Sequence, residues 1–193
     1  MDSYGRGLIA LQFMVLLILM IAASVVHADA LDLTRLMQLL AAAPTAEVSF
    51  IEKKYSGLLS EPVISSGRLR YQRPDIVEKN IELPRKEQYR FVGDDLLLMR
   101  NGAEKRIRLS SQPLLLAFAA SLRGVLGGDL ALLRTHYQLS LTGNQLSWRL
   151  DLTPDDEGIG RYVQRIVVTG HDGQIEQIEV REVSGDRSVL QVR

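Results

Sequence analysis

The sequence of 193 residues contains no cysteine. Without thiols the chain can form no disulfide, no thiolate metal site and no acylated cysteine, so it is not predicted to be a lipoprotein itself. A domain of this size can be stabilised by its hydrophobic core alone. The absence of cysteine is therefore compatible with an oxidising compartment but does not require one.

Histidine is nearly as scarce, with three residues in the chain. His136 is predicted at a helix-to-strand junction and His171 in a turn, and neither lies in a ligand cluster with the spacing of a metal site. The acidic run 155–157 lacks the spacing of a known calcium loop and is predicted to be a solvated turn. We predict no metal and no cofactor.

The motifs of catalysis are missing as well. No G-x-S-x-G nucleophile elbow occurs, and Ser65-Ser66-Gly67 is interpreted as a hairpin turn between two strands. Gly127-Gly128-Asp129 lacks the lysine and the preceding strand of a phosphate loop, so we interpret it as a break between helices. A lipid hydrolase would need a base near Ser110 or Ser111, and the sequence offers no candidate. We predict no catalytic residues and no enzyme.

Neither sign of charge is in excess, with 23 Lys and Arg against 23 Asp and Glu. Residues 1–28 contain one base, Arg6, and one acid, Asp2, so the rest of the chain is balanced too. Proteins that bind through phosphate contacts normally carry a basic excess or stripe. Nucleic acid and anionic membrane surfaces are therefore not predicted partners.

Residues 1–28 have the layout of a secretory signal peptide, with Arg6 before an apolar run over 8–26 and small-residue cleavage sites after Ala28 or Ala30. The apolar run is also long enough to stay in the membrane as an anchor. Because a cleavage site follows directly and no Lys or Arg cluster comes after it, we predict cleavage and export to the periplasm. A single domain over 29–193 would remain, and a retained anchor would still leave that domain outside.

Two segments of this domain have helical periodicity. Apolar residues recur on one face of 31–43, which predicts a short amphipathic helix. Segment 114–126 is almost wholly apolar apart from Ser121 and Arg123. Gly127-Gly128 is predicted to end this helix before a second, shorter one.

Alternation of period two from residue 47 onward predicts an antiparallel meander of eight or more strands. Asn101-Gly102 is the sharpest turn signal, because a type I′ turn needs positive φ at both positions. A sheet of this size tends to curl, and its concave apolar face must be filled by its own side chains, a helix or a ligand. The other turns are predicted at Ser65-Ser66-Gly67, Arg73-Pro74-Asp75, Gly93-Asp94-Asp95, Thr142-Gly143-Asn144, 170–173 and Ser184-Gly185-Asp186.

Residues 48–74 carry a family resemblance. Val48-Ser49-Phe50-Ile51-Glu52-Lys53-Lys54 is followed by Ser66-Gly67-Arg68-Leu69-Arg70-Tyr71-Gln72-Arg73-Pro74, with Leu83-Pro84 and Gly93-Asp94 later in the chain. This order of motifs, after an opening helix, resembles the periplasmic lipoprotein carrier family LolA. The resemblance implies an α+β fold in which a strongly curved sheet forms an incomplete antiparallel β-barrel, with a helical lid over a cavity for acyl chains.

The resemblance also implies site residues. Arg73 matches the arginine that in the family holds the lid by hydrogen bonds, so we expect it to donate to segment 114–126 or its flanking loops. Val77 stands where standard carriers have an aromatic residue, which indicates a divergent branch of the family. Eleven residues are predicted to line the cavity: Phe50, Leu69, Tyr71, Val77, Ile81, Phe91, Leu115, Phe118, Leu122, Trp148 and Leu150.

The function implied is that of a monomeric periplasmic carrier. It would bind the acyl chains of a lipoprotein or lipid and move between an inner-membrane donor protein and an outer-membrane acceptor protein. The alternative on the same fold is a lipid-responsive envelope sensor or scaffold, which would bind a protein and use lipid as its signal.

Overall fold

The computed structural model describes residues 31–44 and 47–193, so the predicted signal peptide and its cleavage sites lie outside the described residues. The α-helices of the described chain are α1 (Leu33–Ala42), α2 (Pro113–Gly127), α3 (Leu130–His136) and α4 (Glu157–Gly160), and a 3₁₀ turn spans Leu109–Ser111. The strands are β1 (Glu47–Tyr55), β2 (Val63–Gln72), β3 (Ile76–Leu83), β4 (Glu87–Val92), β5 (Asp95–Arg100), β6 (Ala103–Arg108), β7 (Tyr137–Asn144), β8 (Ser147–Pro154), β9 (Val163–His171), β10 (Gln174–Glu182) and β11 (Arg187–Val192). Over the residues described, no helix is both long and apolar enough to span a bilayer.

The predicted helices form, and their ends follow from local chemistry. Asp32 caps α1 by accepting a hydrogen bond from the Arg35 amide at 2.7 Å. Gly128 ends α2 in the left-handed conformation at φ 66°, which glycine adopts without a Cβ penalty. The Asp129 carboxylate then accepts from the Leu132 amide at 2.9 Å and starts α3. The break between the two helices is thus fixed by two adjacent residues.

All eleven strands belong to one antiparallel sheet, in the order β6-β5-β4-β3-β2-β1-β11-β10-β9-β8-β7. Strands β6 and β7 are its two edges, so the curved sheet is an incomplete barrel. Asn101 and Gly102 have φ of 52° and 76°, which confirms the predicted positive-φ turn between β5 and β6. The fold class expected from the sequence is therefore confirmed.

Two predicted turns were wrong. Ser65, Ser66 and Gly67 lie inside β2, where Gly67 pairs with Phe50 of β1 and Ile81 of β3. A Cβ at Gly67 would lie 1.9 Å from the Asn80 carbonyl oxygen, so glycine is needed for close strand approach and not for a turn.

The second error is at the end of β7, which continues through Asn144. The Asn144 side-chain oxygen accepts from the amides of Leu146 at 2.9 Å and Ser147 at 3.2 Å. This local hydrogen bonding moves the turn to residues 145–146.

Helices α2 and α3 connect the two edge strands and cover the concave face of the sheet. The alanines of α2, including Ala117 and Ala119, are buried and let the helix approach the strands closely. Each large apolar side chain buried in this way contributes roughly 1.5–3 kcal/mol. The strand residues beneath the helices include Phe50, Val77, Phe91, Trp148 and Leu150, all buried in one core cluster.

Candidate functional site

The core is interrupted by an apolar cavity of about 330 Å³ at the end of the sheet next to α1. This volume is at the lower end of the range for small-molecule pockets, about 300–1,000 Å³. Most of its surface is aliphatic, so it suits alkyl groups better than polar ligands. The lining residues are Leu40, Ala43, Pro44, Val48, Leu69, Tyr71, Arg73, Leu126, Gly173, Gln174, Ile175, Ile178, Val192 and Arg193.

The walls follow from strand register. Val48 of β1 pairs with Leu69 of β2, and side chains on the same face of neighbouring strands lie side by side. Strands β10 and β11 complete the floor with Ile178 and Val192. Leu40 of α1 and Leu126 of α2 close the cavity from above. The cavity therefore lies where the two helices leave part of the concave face uncovered.

Arg73 lies at the rim of this cavity. Its Nη2 donates to the carbonyl oxygens of Leu40 and Ala43, each at 3.3 Å, and its guanidinium lies 5.9 Å from the Tyr71 ring centroid. The expected acceptors in segment 114–126 or its flanking loops are therefore corrected to the end of α1. The last carbonyls of a helix have no partners within it and carry partial negative charge, which makes them natural acceptors for a guanidinium.

Arg123 is a further residue of the site, and it was not among the predicted ones. Its Nε donates to the Asp75 carbonyl oxygen at 2.9 Å, which links α2 to the turn between β2 and β3. Burial lowers the pKa of Arg123 from its ordinary value. Tyr71 joins the same turn by donating to the Pro74 carbonyl oxygen at 2.6 Å. The sequence did contain a signal for Arg123, because polar residues are rare in the apolar segment that forms α2.

Arg73 and Arg123 also flank a second, more polar cleft of about 420 Å³ beside the cavity. Tyr71 and Arg73 line both spaces, so they separate the apolar cavity from the polar cleft. The cleft is lined by Tyr71, Arg73, Pro74, Asp75, Arg123, Gly127, Asp129 and Leu132.

The eleven residues predicted to line the cavity are divided between several places. Leu69 and Tyr71 line the apolar cavity, whereas Phe118 and Leu122 lie with Leu69 around a void of about 10 Å³ deeper in the core. Ile81 lines an open cleft at the other end of the sheet. For these five residues, contact with a ligand stays a prediction. The same holds for the residues that pack in or against the core, which are Phe50, Val77, Phe91, Leu115, Trp148 and Leu150.

Six aliphatic residues of the cavity wall were not predicted. Val48, Ile178 and Val192 follow the alternation of their strands, whereas Ile175 lies beyond a register irregularity in β10 that alternation does not reveal. Which of the concave residues line the cavity depends on where α1 and α2 pack, and alternation does not specify that packing. The six are Leu40, Val48, Leu126, Ile175, Ile178 and Val192.

Residues 24–191 match the model of a protein family described as outer membrane lipoprotein carrier protein LolA-like. The chain belongs to this LolA-like family. The resemblance drawn from residues 48–74 is thereby confirmed. No curated protein matches the sequence of this LolA-like chain.

Several solved structures are similar to this LolA-like chain. A LolA superfamily protein from Nitrosomonas europaea is 13% identical, with a TM-score of 0.44, over 83% of this chain and 89% of that one. A putative outer membrane lipoprotein-sorting protein domain from Vibrio parahaemolyticus is 10% identical, with a TM-score of 0.45, over 85% and 90%. Lipoprotein LppX from Mycobacterium tuberculosis is 10% identical, with a TM-score of 0.42, over 83% and 93%.

Proposed function

We propose that this protein is a periplasmic carrier that binds the acyl chains of a lipoprotein or lipid and delivers its cargo towards the outer membrane. The observation that carries the proposal is the apolar cavity of about 330 Å³ beneath α1. Membership of the LolA-like family supports the same class of function. The protein would act by binding and release, without catalysis.

The cavity walls supply the binding energy. Transfer of an alkyl chain from water to Val48, Leu69, Ile178 and their aliphatic neighbours contributes about 0.8 kcal/mol per methylene. A chain of many methylenes would then be held tightly, so release requires the cavity to open. Helix α1 is the element to move, because Leu40 and Ala43 line the cavity and are tied to the sheet through Arg73.

Export is part of the proposal. Residues 1–28 would direct the chain across the inner membrane and be removed, and residues 29–193 would act in the periplasm as a monomer. Partner proteins at the inner and outer membranes would load and unload it. N-terminal sequencing of the periplasmic form tests the cleavage, and a chain that begins at Met1 would contradict it.

Binding is tested with a fluorescent fatty acid and the variant Val48→Phe. Val48 lies on the cavity wall, so the larger ring should fill the space and lower affinity about tenfold or more. Ile51→Phe is the matched control, because period-two alternation places Ile51 on the opposite face of β1. Equal affinity of the two variants would show that the probe binds elsewhere.

Transfer distinguishes the carrier from the sensor or scaffold. A carrier purified with stoichiometric lipid should pass that lipid to acceptor vesicles. A sensor would retain the lipid and change its affinity for a protein partner instead. If the wild-type protein keeps its lipid both with acceptor vesicles and with envelope membranes, the carrier function is wrong.

A further inference from the structure

Lys79 is the one charged residue in the described part of the chain that is almost fully buried, with 8% of its surface exposed. Its Nζ lies 2.6 Å from Glu52 Oε2 and 5.1 Å from the centroid of the Phe50 ring. The Ser65 hydroxyl donates to the same Glu52 oxygen at 3.3 Å. Removing two charges from water is costly even when they pair, so a pair inside an aliphatic core calls for an explanation beyond stability.

The strand register explains how the two charges meet. Glu52 of β1 pairs with Ser65 of β2, and Lys79 of β3 pairs with Leu69 of β2. The line between Glu52 and Lys79 therefore crosses β2 near Gly67, which has no side chain to obstruct it. Close strand packing at this glycine thus allows an ion pair to span three strands on the concave face.

The ion pair lies deeper in the molecule than the apolar cavity. Val48 lines the cavity, and Glu52 follows it by four residues along the same strand, a distance of about 13 Å. The void of about 10 Å³ lies next to the ion pair, and Glu52, Lys79 and Ser188 line it on the polar side. The void is about the size that holds one water molecule.

Leu69 and Ile178 line both the cavity and this void. The buried Phe50 ring stands on β1 between Val48 and Glu52, so joining the two spaces requires all three side chains to change rotamer. Phe118 and Leu122 of α2 cover the void from above. An alkyl chain that entered beside Arg73 and displaced Phe50, Leu69 and Ile178 would therefore advance along β1 beneath α2 until it reached the ion pair.

We propose that the Glu52–Lys79 pair is the inner end of the acyl-binding site and limits the length of chain that the protein accepts. This inference rests on the proposed carrier function. Aliphatic walls can move aside for a further methylene without losing their contacts, whereas an alkyl end that pushed between the two charges would leave each buried without its partner. Affinity should therefore rise with chain length until the chain end meets the pair, and then level off.

The test measures competition between a fluorescent fatty acid and saturated fatty acids from octanoate to stearate. For the wild-type protein, affinity should increase about fourfold per added methylene and then reach a plateau. The double variant Glu52→Leu with Lys79→Met replaces both charges by apolar side chains, and the increase should continue past that plateau. The longest acids should bind at least tenfold more tightly to the double variant than to the wild-type protein.

Both residues are replaced together because either single substitution would leave one charge buried alone. The control is Arg149→Met with Asp151→Asn, which removes an ion pair of 2.7 Å from the solvated side of β8 and should leave the plateau in place. An unchanged plateau in the Glu52/Lys79 variant would overturn the inference. Failure of the wild-type protein to bind any of the acids would refute the proposed carrier function instead.

A measurement on the unaltered protein does not depend on the folding of the double variant. A crystal of the wild-type chain with a fatty acid brominated at its methyl end should give an anomalous bromine signal next to Lys79 and Glu52. A bromine beside Arg73, with the carboxylate deep in the core, would contradict the inference.

Discussion

The Arg73 guanidinium donates to the Leu40 carbonyl oxygen across 33 positions of sequence, at 3.3 Å. This contact ties the last turn of α1 to the end of β2, on either side of the apolar cavity. Leu40 also accepts from the Ala43 amide at 3.2 Å, so its carbonyl keeps a partner if Arg73 is removed. The contact is therefore suited to holding a lid in place without determining whether the domain folds.

Replacement of Arg73 by Leu should lower the free energy of unfolding by about 1–2 kcal/mol, because two hydrogen bonds from one nitrogen are lost. The alkyl contacts of the cavity are unchanged, so fatty-acid affinity should stay close to the wild-type value. Without this contact α1 should open more readily, so delivery to acceptor vesicles should be faster. Arg73→Lys keeps the charge but loses the planar fork, so it should behave like the Leu variant. If both variants deliver lipid at the normal rate, Arg73 is an ordinary turn residue and does not hold the lid.

Gly67→Ala tests the close approach of β2 and β3. The added Cβ would lie 1.9 Å from the backbone oxygen of Asn80, so the strands must separate. Overpacking of this kind costs about 3 kcal/mol, and urea denaturation should show that loss. Gly57→Ala is the control, because a Cβ there meets nothing within 4 Å, and its effect should stay within about 0.5 kcal/mol. Equal stability of the two variants would show that the strands do not need a glycine at position 67.

Gly67 also shows which parts of the fold a sequence can predict. Asn101-Gly102 was identified because positive φ is a local property of those two residues. Glycine is needed at position 67 because of the Asn80 carbonyl, thirteen positions later. The residues around Gly67 therefore look like a turn when they are read alone. Helices, strands and the curved sheet follow from periodicity, whereas a close approach between strands does not.

The same distinction applies to the site. The alternation of Phe50, Leu69 and Trp148 indicated the concave face, because a strand's two faces are set by its own sequence. Which concave residues enclose a cavity and which enter the closed core depends on how α1 and α2 lie across the sheet. The partners of Arg73 depend on the same packing, which is why the sequence placed its acceptors on the wrong helix.

Tyr89 should make stability fall at alkaline pH. Its hydroxyl donates to Glu87 Oε2 at 2.6 Å, and burial, together with this hydrogen bond, raises the pKa of Tyr89 to about 12. The unfolded chain loses the proton near the ordinary value of 10.0, so stability that is present below pH 10 is lost as the pH rises towards 12. After allowance for solvent screening the loss should be about 1–2 kcal/mol.

Denaturation of the wild-type protein and Tyr89→Phe across this pH range measures the effect. The Phe variant should lose less stability, because burial also raises the pKa values of Tyr71 and Tyr137 and only the contribution of Tyr89 is removed. Ultraviolet titration of Glu87→Gln should place Tyr89 below the wild-type pKa but above its ordinary value, since burial remains. Parallel pH profiles of wild type and Tyr89→Phe would contradict the assignment.

Arg123 should favour movement of α2 away from the sheet, whereas Arg73 holds the end of α1 in place. Its Nη2 is buried and has no hydrogen-bond partner among residues 31–44 and 47–193, although its Nε bonds to the Asp75 carbonyl. An unsatisfied buried donor costs about 1–3 kcal/mol, which exceeds the contribution of about 1 kcal/mol from the single hydrogen bond. Movement of α2 away from the sheet would hydrate the guanidinium and relieve this cost.

Arg123→Met therefore should stabilise the closed domain by about 1 kcal/mol, because the aliphatic stem is kept while the buried charge and its unpaired donor are lost. Fatty-acid uptake and release should both slow, as measured by stopped-flow fluorescence, and amide hydrogen exchange in α2 should slow with them. Arg134→Met on the exposed side of α3 is the control and should leave stability and rates unchanged. If Arg123→Met is instead less stable and exchanges lipid faster, the bond to Asp75 outweighs the desolvation of the charge, and Arg123 holds α2 against the sheet.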